Sequence, residues 1–237
     1  MTADPGCAVF DLDGTLVDSA RHCTLVMNEM LAERGSGLRL TVERTRGHMA
    51  LGGERMIQAL FGDDGGDPAT EIQDFRARYR ATQMEQASLF PGVETGLREL
   101  ASHGWRLAVC SNKPQDLCEK TLDDLALLGL FDAVTGARPG VPLKPDPALL
   151  IHALKSLGAD TRRSCYVGDD RVDCEAAAGA GVPFILAAYG YGAADVPRAS
   201  AGRRAASFAG VPEQASRAVA VGTAQAVPNP LTGAGCE

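Results

Sequence analysis

One pattern recurs along this chain. A short run of wholly apolar residues halts at polar or glycine residues, and a segment of helical period follows. The runs are Cys7–Phe10, Leu107–Cys110, Ala133–Val134, Cys165–Val167 and Phe184–Ala188. Strands that do not alternate apolar with polar must be covered on both faces. Covering helices between parallel strands give a doubly wound α/β sheet, and that is the predicted core. Two of the covering helices have legible ends. Gly92–His103 puts Val93, Leu97, Leu100 and Ala101 on one face and stops at Gly104, while Pro147 opens a helix that presents Leu150, Ala153, Leu154 and Leu157 and ends at Gly158.

The alternation fails between about Val17 and Ala87. There the sequence has helical periods over Ser19–Arg34, Glu54–Phe61 and Ala69–Gln86, a turn-forming loop at Gly62–Asp67, and no convincing strand. The expected organisation is therefore an α/β core from residues 1–16 and 88–221, with a small helical domain, 17–87, inserted after the first strand. Ala206–Phe208 reads as a last short strand and Pro212–Val219 as a helix. Residues 222–237, rich in Ala, Gly, Thr and Pro, read as a mobile tail.

Net charge is −7 with no basic stripe, which argues against nucleic acid and anionic membrane surfaces as partners. The seven cysteines form no C-x-x-C pair and no Cys/His cluster, so they read as reduced thiols. Met1–Phe10 lacks the charge and apolar run of a signal peptide, and no stretch is apolar enough to span a bilayer. The expected location is the cytoplasm.

In a parallel α/β sheet, ligands bind outside the carboxyl ends of the strands. After the first run stands Asp11-Leu12-Asp13-Gly14-Thr15, after the second Ser111-Asn112-Lys113, and after the fourth Gly168-Asp169-Asp170 with Asp173; Lys144 precedes the Pro147 helix. Asp11, Asp13, Asp169, Asp170 and Asp173 would repel one another if they converged without a cation. Oxygen ligands with no His or Cys nearby favour Mg²⁺ over zinc. Such an acidic site accepts a phosphate dianion through that ion, with Lys144, one of only four lysines, as the second positive charge. A calcium loop beginning at Asp11 fails, because Leu16 occupies its glycine position and His22 its last.

Four segments, FDLDGTLVDS (Phe10–Ser19), CSNKP (Cys110–Pro114), LKPDP (Leu143–Pro147) and VGDDRVDCEAA (Val167–Ala177), resemble in order and spacing the motifs of the haloacid dehalogenase superfamily of phosphohydrolases. The inserted helices resemble that superfamily's first-subclass cap, and FPGV, CSNKP, GVPFILAAYGYG and ASFAGVPE resemble its phosphoglycolate phosphatases. The resemblance implies Asp11 as nucleophile and Asp13 as general acid and base. It also implies Ser111, Asn112 and Lys144 as phosphate contacts, Mg²⁺ on Asp11, Asp169 and the Asp13 carbonyl, and Asp173 as support. Asp170 departs from the small hydroxyl residue common there, which leaves its role open. A Mg²⁺-dependent phosphatase of a small phosphate monoester, 2-phosphoglycolate foremost, is the implied function; another small sugar or biosynthetic phosphate, or a sugar phosphomutase, are the alternatives. An idle binding protein sits badly with so complete a set. Cap residues Arg44, Arg46, His48 and Arg55 either face an anionic substrate or lie on a solvated helix. Leu16–Asp18 and Ser88–Pro91 are the expected hinges.

Overall fold

The apolar runs become parallel strands. In the computed structural model, which describes residues 6–198 and 202–224, these are β1 (Cys7–Phe10), β2 (Arg106–Pro114), β3 (Ala133–Ala137), β4 (Ser164–Gly168), β5 (Phe184–Ala187) and β6 (Arg203–Ala205). They form one parallel sheet in the order β3-β2-β1-β4-β5-β6. β1 is central: Cys7 to Phe10 pair with Arg106 to Val109 on one side and with Ser164 to Val167 on the other. Strand order reverses direction at β1, and a doubly wound sheet leaves a crevice at such a point.

The helices are α1 (Ala20–Glu33), α2 (Val42–Arg46), α3 (Gly53–Phe61), α4 (Pro68–Ala81), α5 (Val93–Ser102), α6 (Gln115–Asp124), α7 (Ala148–Ser156), α8 (Arg171–Ala180) and α9 (Val211–Ala224). Side chains leave a strand alternately to its two faces, and each face here meets its own helices. Ala8, Phe10, Leu107, Val109, Val167 and Ile185 share a core with α5, α6 and α9. Cys7, Val9, Ala108, Cys110, Tyr166 and Leu186 share the other with α7 and α8. This is why the runs carry no polar alternation. The first core continues into the inserted helices through Met27, Met30, Ile57, Leu60, Phe75 and Tyr79. Among the described residues no helix is long and apolar enough to cross a membrane, and no disulfide joins the cysteines.

The inserted helices leave and rejoin the sheet through two adjacent segments. Val17 bridges Leu89, the Asp18 amide donates to the Ser88 carbonyl at 2.7 Å, and the Phe90 amide donates to Leu16 at 3.2 Å. The expected hinges therefore lie side by side, tied by main-chain bonds.

Several boundaries differ from the expectation. β2 runs past Cys110 to Pro114, because its polar end still pairs with β3 across a register shift. α4 stops at Ala81, where Thr82 turns extended, and does not reach Gln86. The last strand is Arg203–Ala205, three residues before the apolar cue at Ala206–Phe208; α9 then takes in the first residues of the segment read as a tail. The remainder of that segment, residues 225–237, lies outside the described residues.

Phe10 is fully buried, stacks on Phe208 at 5.8 Å between ring centroids and meets the edge of Phe131 at 6.4 Å. Phe10→Ala is expected to lower unfolding free energy by about 3–5 kcal/mol, measured by urea denaturation. A loss below 1 kcal/mol would contradict the packing described.

Candidate active site

The chain leaves β1 in a tight turn. The Asp11 amide still donates to Val167 at 2.8 Å, and the amides of Leu16 and Val17 then both donate to the Leu12 carbonyl. Gly14 sits at φ +88°, and a Cβ there would lie 2.4 Å from Asp169 Oδ2. Only glycine meets both the backbone and the space requirement. The turn thus brings the carboxylate after β1 against the one after β4.

Lys144 is the centre of the cluster. Its Nζ donates to Asp11 Oδ1 at 2.8 Å, Asp173 Oδ1 at 2.6 Å and the Tyr166 hydroxyl at 2.9 Å, which uses all three ammonium protons; the Cys110 carbonyl lies 3.3 Å away. The Lys144 main chain is pinned as firmly: its amide donates to Asn112 Oδ1 at 2.8 Å, and Asn112 Nδ2 donates to its carbonyl at 2.9 Å. Burial works against the charged Lys144, but Asp11 and Asp173 outweigh it and hold its pKa well above the ordinary value.

Asp13 points away from that cluster. Lys113 Nζ donates to both of its oxygens at 2.8 and 2.9 Å, and the Ser19 hydroxyl donates to Oδ1. The same ammonium lies 4.6 Å from the ring centroid of Tyr79 on α4, whose hydroxyl is 3.1 Å from Thr121 on α6. The cation–π contact joins Asp13 to the inserted helices.

Asp169 receives the Thr15 hydroxyl at 3.1 Å and the Gly192 amide at 3.2 Å. Asp173 Oδ2 accepts the amides of Asp169 and Asp170 at 3.1 and 3.3 Å. Asp170 caps α8, accepting from Val172 and Asp173 at 2.8 and 3.2 Å. Its role is that of an N-cap, which a small hydroxyl residue also fills.

Ligand atoms of Asp11, Asp169 and Asp173 lie within 4.8 Å of one another, all three residues buried. Three buried carboxylates against one buried ammonium leave two negative charges, which suits a divalent cation held by oxygen. Burial, with the charge of Asp173 and Asp13 added and Lys144 opposing, pushes Asp11 up to about 7; burial and its acidic neighbours raise Asp169 as well.

The structure thus brings together Asp11, Asp169, Asp173 and Lys144, with Ser111, Asn112 and Asp13 on the wall of the same cavity. The Asn112 side chain is committed to the Lys144 backbone, and the Asp13 carboxylate lies outside the acidic triad. Arg46 pairs with Asp18 at 2.5 Å and His48 Nδ1 sits 2.8 Å from the Arg44 carbonyl; of the four cap residues singled out, Arg55 alone lines the cavity. Sequence reasoning placed Lys113 after the second run without giving it a role, and missed Tyr166. Tyr166 carries the one hydroxyl in a strand run covered on both faces, and such a group needs a partner.

A model of haloacid dehalogenase-like hydrolases matches residues 8–187. A phosphoglycolate phosphatase of Cereibacter sphaeroides is 38% identical over 192 residues, covering 79% of this chain and 86% of that protein. One from Rhodospirillum rubrum is 36% identical over 203 residues, covering 79% and 81%. Among solved structures, a haloacid dehalogenase-like hydrolase from Streptococcus pneumoniae superposes with a TM-score of 0.73 at 24% identity, covering 89% of this chain and 98% of that one. CbbY from Rhodobacter sphaeroides, in complex with phosphate, does so at 0.69 and 24%, covering 86% and 95%. At those identities the two superpositions speak for the fold.

An acid whose folded value of about 7 exceeds its ordinary 3.8 contributes stability below the lower value and loses it as pH rises through the higher. The metal-free protein is therefore expected to melt lower at pH 8 than at pH 5. Asp11→Asn should shrink that difference, and Mg²⁺ should raise the pH 8 melting temperature of the parent more than that of the variant. Calorimetry with chelator and with Mg²⁺ checks this; identical profiles for the two proteins would count against it.

Proposed function

The chain belongs to the haloacid dehalogenase-like hydrolases, and from that premise we propose that it is a Mg²⁺-dependent phosphatase of small phosphate monoesters, with 2-phosphoglycolate as the leading substrate. The observation that carries the reading is the buried ammonium of Lys144 joined to both Asp11 and Asp173, with Asp169 beside them, at the carboxyl ends of the adjacent strands β1 and β4. The similarity to phosphoglycolate phosphatases over four fifths of the chain supports the substrate.

Asp11 is the nucleophile. Its carboxylate attacks phosphorus, the bond to the ester oxygen breaks, and an aspartyl-phosphate forms. Lys144 and Asn112 act as a unit, since the amide side chain fixes the loop that delivers the ammonium, and Ser111 lies buried beside them to bond a phosphoryl oxygen. Preorganised positive charge of this kind stabilises the transition state without reorganising. Asp13 protonates the leaving alkoxide and then takes a proton from the water that hydrolyses the aspartyl-phosphate. Lys113 and Ser19 set its orientation. Asp11, Asp169 and the Asp13 carbonyl would hold Mg²⁺, with Asp173 in support, and the ion supplies Lewis acidity and charge neutralisation where phosphate and carboxylate meet.

Phosphate release from a panel of small monoesters is expected to require Mg²⁺, to favour 2-phosphoglycolate, and to fall at least about 10³-fold in Asp11→Asn. Absence of release from every compound in the panel would refute the reading.

A further inference from the structure

Resting on that reading, we infer that Arg55 and Arg76 form a second anion-binding subsite in the active-site cavity, so that the preferred substrate carries a carboxylate or a second phosphate beyond its reacting phosphoryl group. The cavity measures about 570 Å³, the size of a small-molecule site, and includes Asp11, Ser111, Lys144 and Asp169. Helices α3 and α4 supply another part of its wall. There the buried residues Met56, Ile72 and Phe75 stand with Arg55 and Arg76.

Four of the nine arginines between residues 17 and 87 are taken up by carboxylates. Arg34 pairs with Glu71, Arg46 with Asp18, Arg78 with Glu33 and Asp74, and Arg80 with Asp116. Arg55 and Arg76 make no ion pair and no hydrogen bond among the described residues, although Glu54 and Asp170 line the same cavity. Among the described residues Arg21, Arg39 and Arg44 also lack a carboxylate partner, Arg44 reaching the Leu60 carbonyl instead, but none of the three lines the cavity. Arg76 is half-buried on the turn of α4 between Phe75 and Tyr79, whereas Arg55 is exposed.

An unpaired guanidinium beside apolar walls favours a planar or tetrahedral oxyanion, which its fork meets with two parallel hydrogen bonds. Half-burial of Arg76 strengthens that attraction relative to water, and the exposed Arg55 gains less from it. The catalytic end of the cavity is acidic, and the chain carries a net charge of −7, so a doubly anionic substrate needs cations away from Lys144. A phosphate monoester with no second anionic group would leave both guanidinium groups to solvent.

The test is a calorimetric titration of the Asp11→Asn protein with Mg²⁺ at fixed ionic strength, using ethyl phosphate, 2-phosphoglycolate and ethylene glycol bisphosphate. At least one of the two anion-bearing compounds should bind about ten- to hundredfold more tightly than ethyl phosphate, the range of a charge-assisted hydrogen bond. Whichever gains more identifies carboxylate or phosphate as the second group. Combining Arg55→Met with Arg76→Met should erase the advantage, and the two Lys substitutions, which keep the charge but not the fork, should keep only part of it. Equal affinities for all three compounds, no binding of any, or an advantage that survives in the double Met variant would overturn the inference. Phosphate release from p-nitrophenyl phosphate by the parent protein reads the phosphatase assignment separately, so the two can fail independently.

Discussion

The ammonium of Lys144, held out of water among the carboxylates of Asp11 and Asp173, is the interaction on which the site depends. Ion pairs removed from solvent recover their desolvation cost only with close geometry and a full complement of hydrogen bonds. Here Tyr166 takes the third ammonium proton and Asn112 fixes the main chain that carries Lys144. The backbone amides of Asp169 and Asp170 take the second oxygen of Asp173. The cluster nonetheless retains more negative than positive charge. Burial above all, with the acidic neighbours added, raises Asp11 and Asp169, and the excess negative charge suits a divalent ion.

The sheet explains why these groups can be so close. β1 is paired on both sides, so the turn after Phe10 and the turn after Val167 end at the same level. Gly14 at positive φ then allows the first turn to meet Asp169 without a side chain between them. Asp13, two residues on, is drawn instead toward Lys113 and the ring of Tyr79. Chemistry thus sits on the sheet, while the inserted helices contribute the surface that a substrate's remaining atoms would touch.

Much of this was legible in the sequence. Wholly apolar runs required helices on both faces, and residues following those runs had to gather at one edge of a parallel sheet. Asp11, Ser111 and Asp169 followed from position at strand ends, whereas Lys144 stood out through its LKPDP setting. Other parts depend on distances that no local pattern encodes. Lys113 faces Asp13 only because β2 continues through its polar end, and Tyr166 supports Lys144 only because β4 lies beside β1. Asp170 looked like a surplus charge in the motif and is a helix cap. Arg55 and Arg76 stand on different helices, 21 positions apart, and their common place on one cavity wall emerges only when α3 packs on α4.

The central claim is that Asp11 becomes phosphorylated. The direct measurement is a rapid acid quench during turnover of 2-phosphoglycolate with Mg²⁺, followed by borohydride reduction and peptide mass spectrometry. An acyl phosphate at Asp11 would be reduced to homoserine at position 11, with no other carboxylate altered. Rapid turnover with Asp11 unmodified, or the label on another carboxylate, would contradict the account.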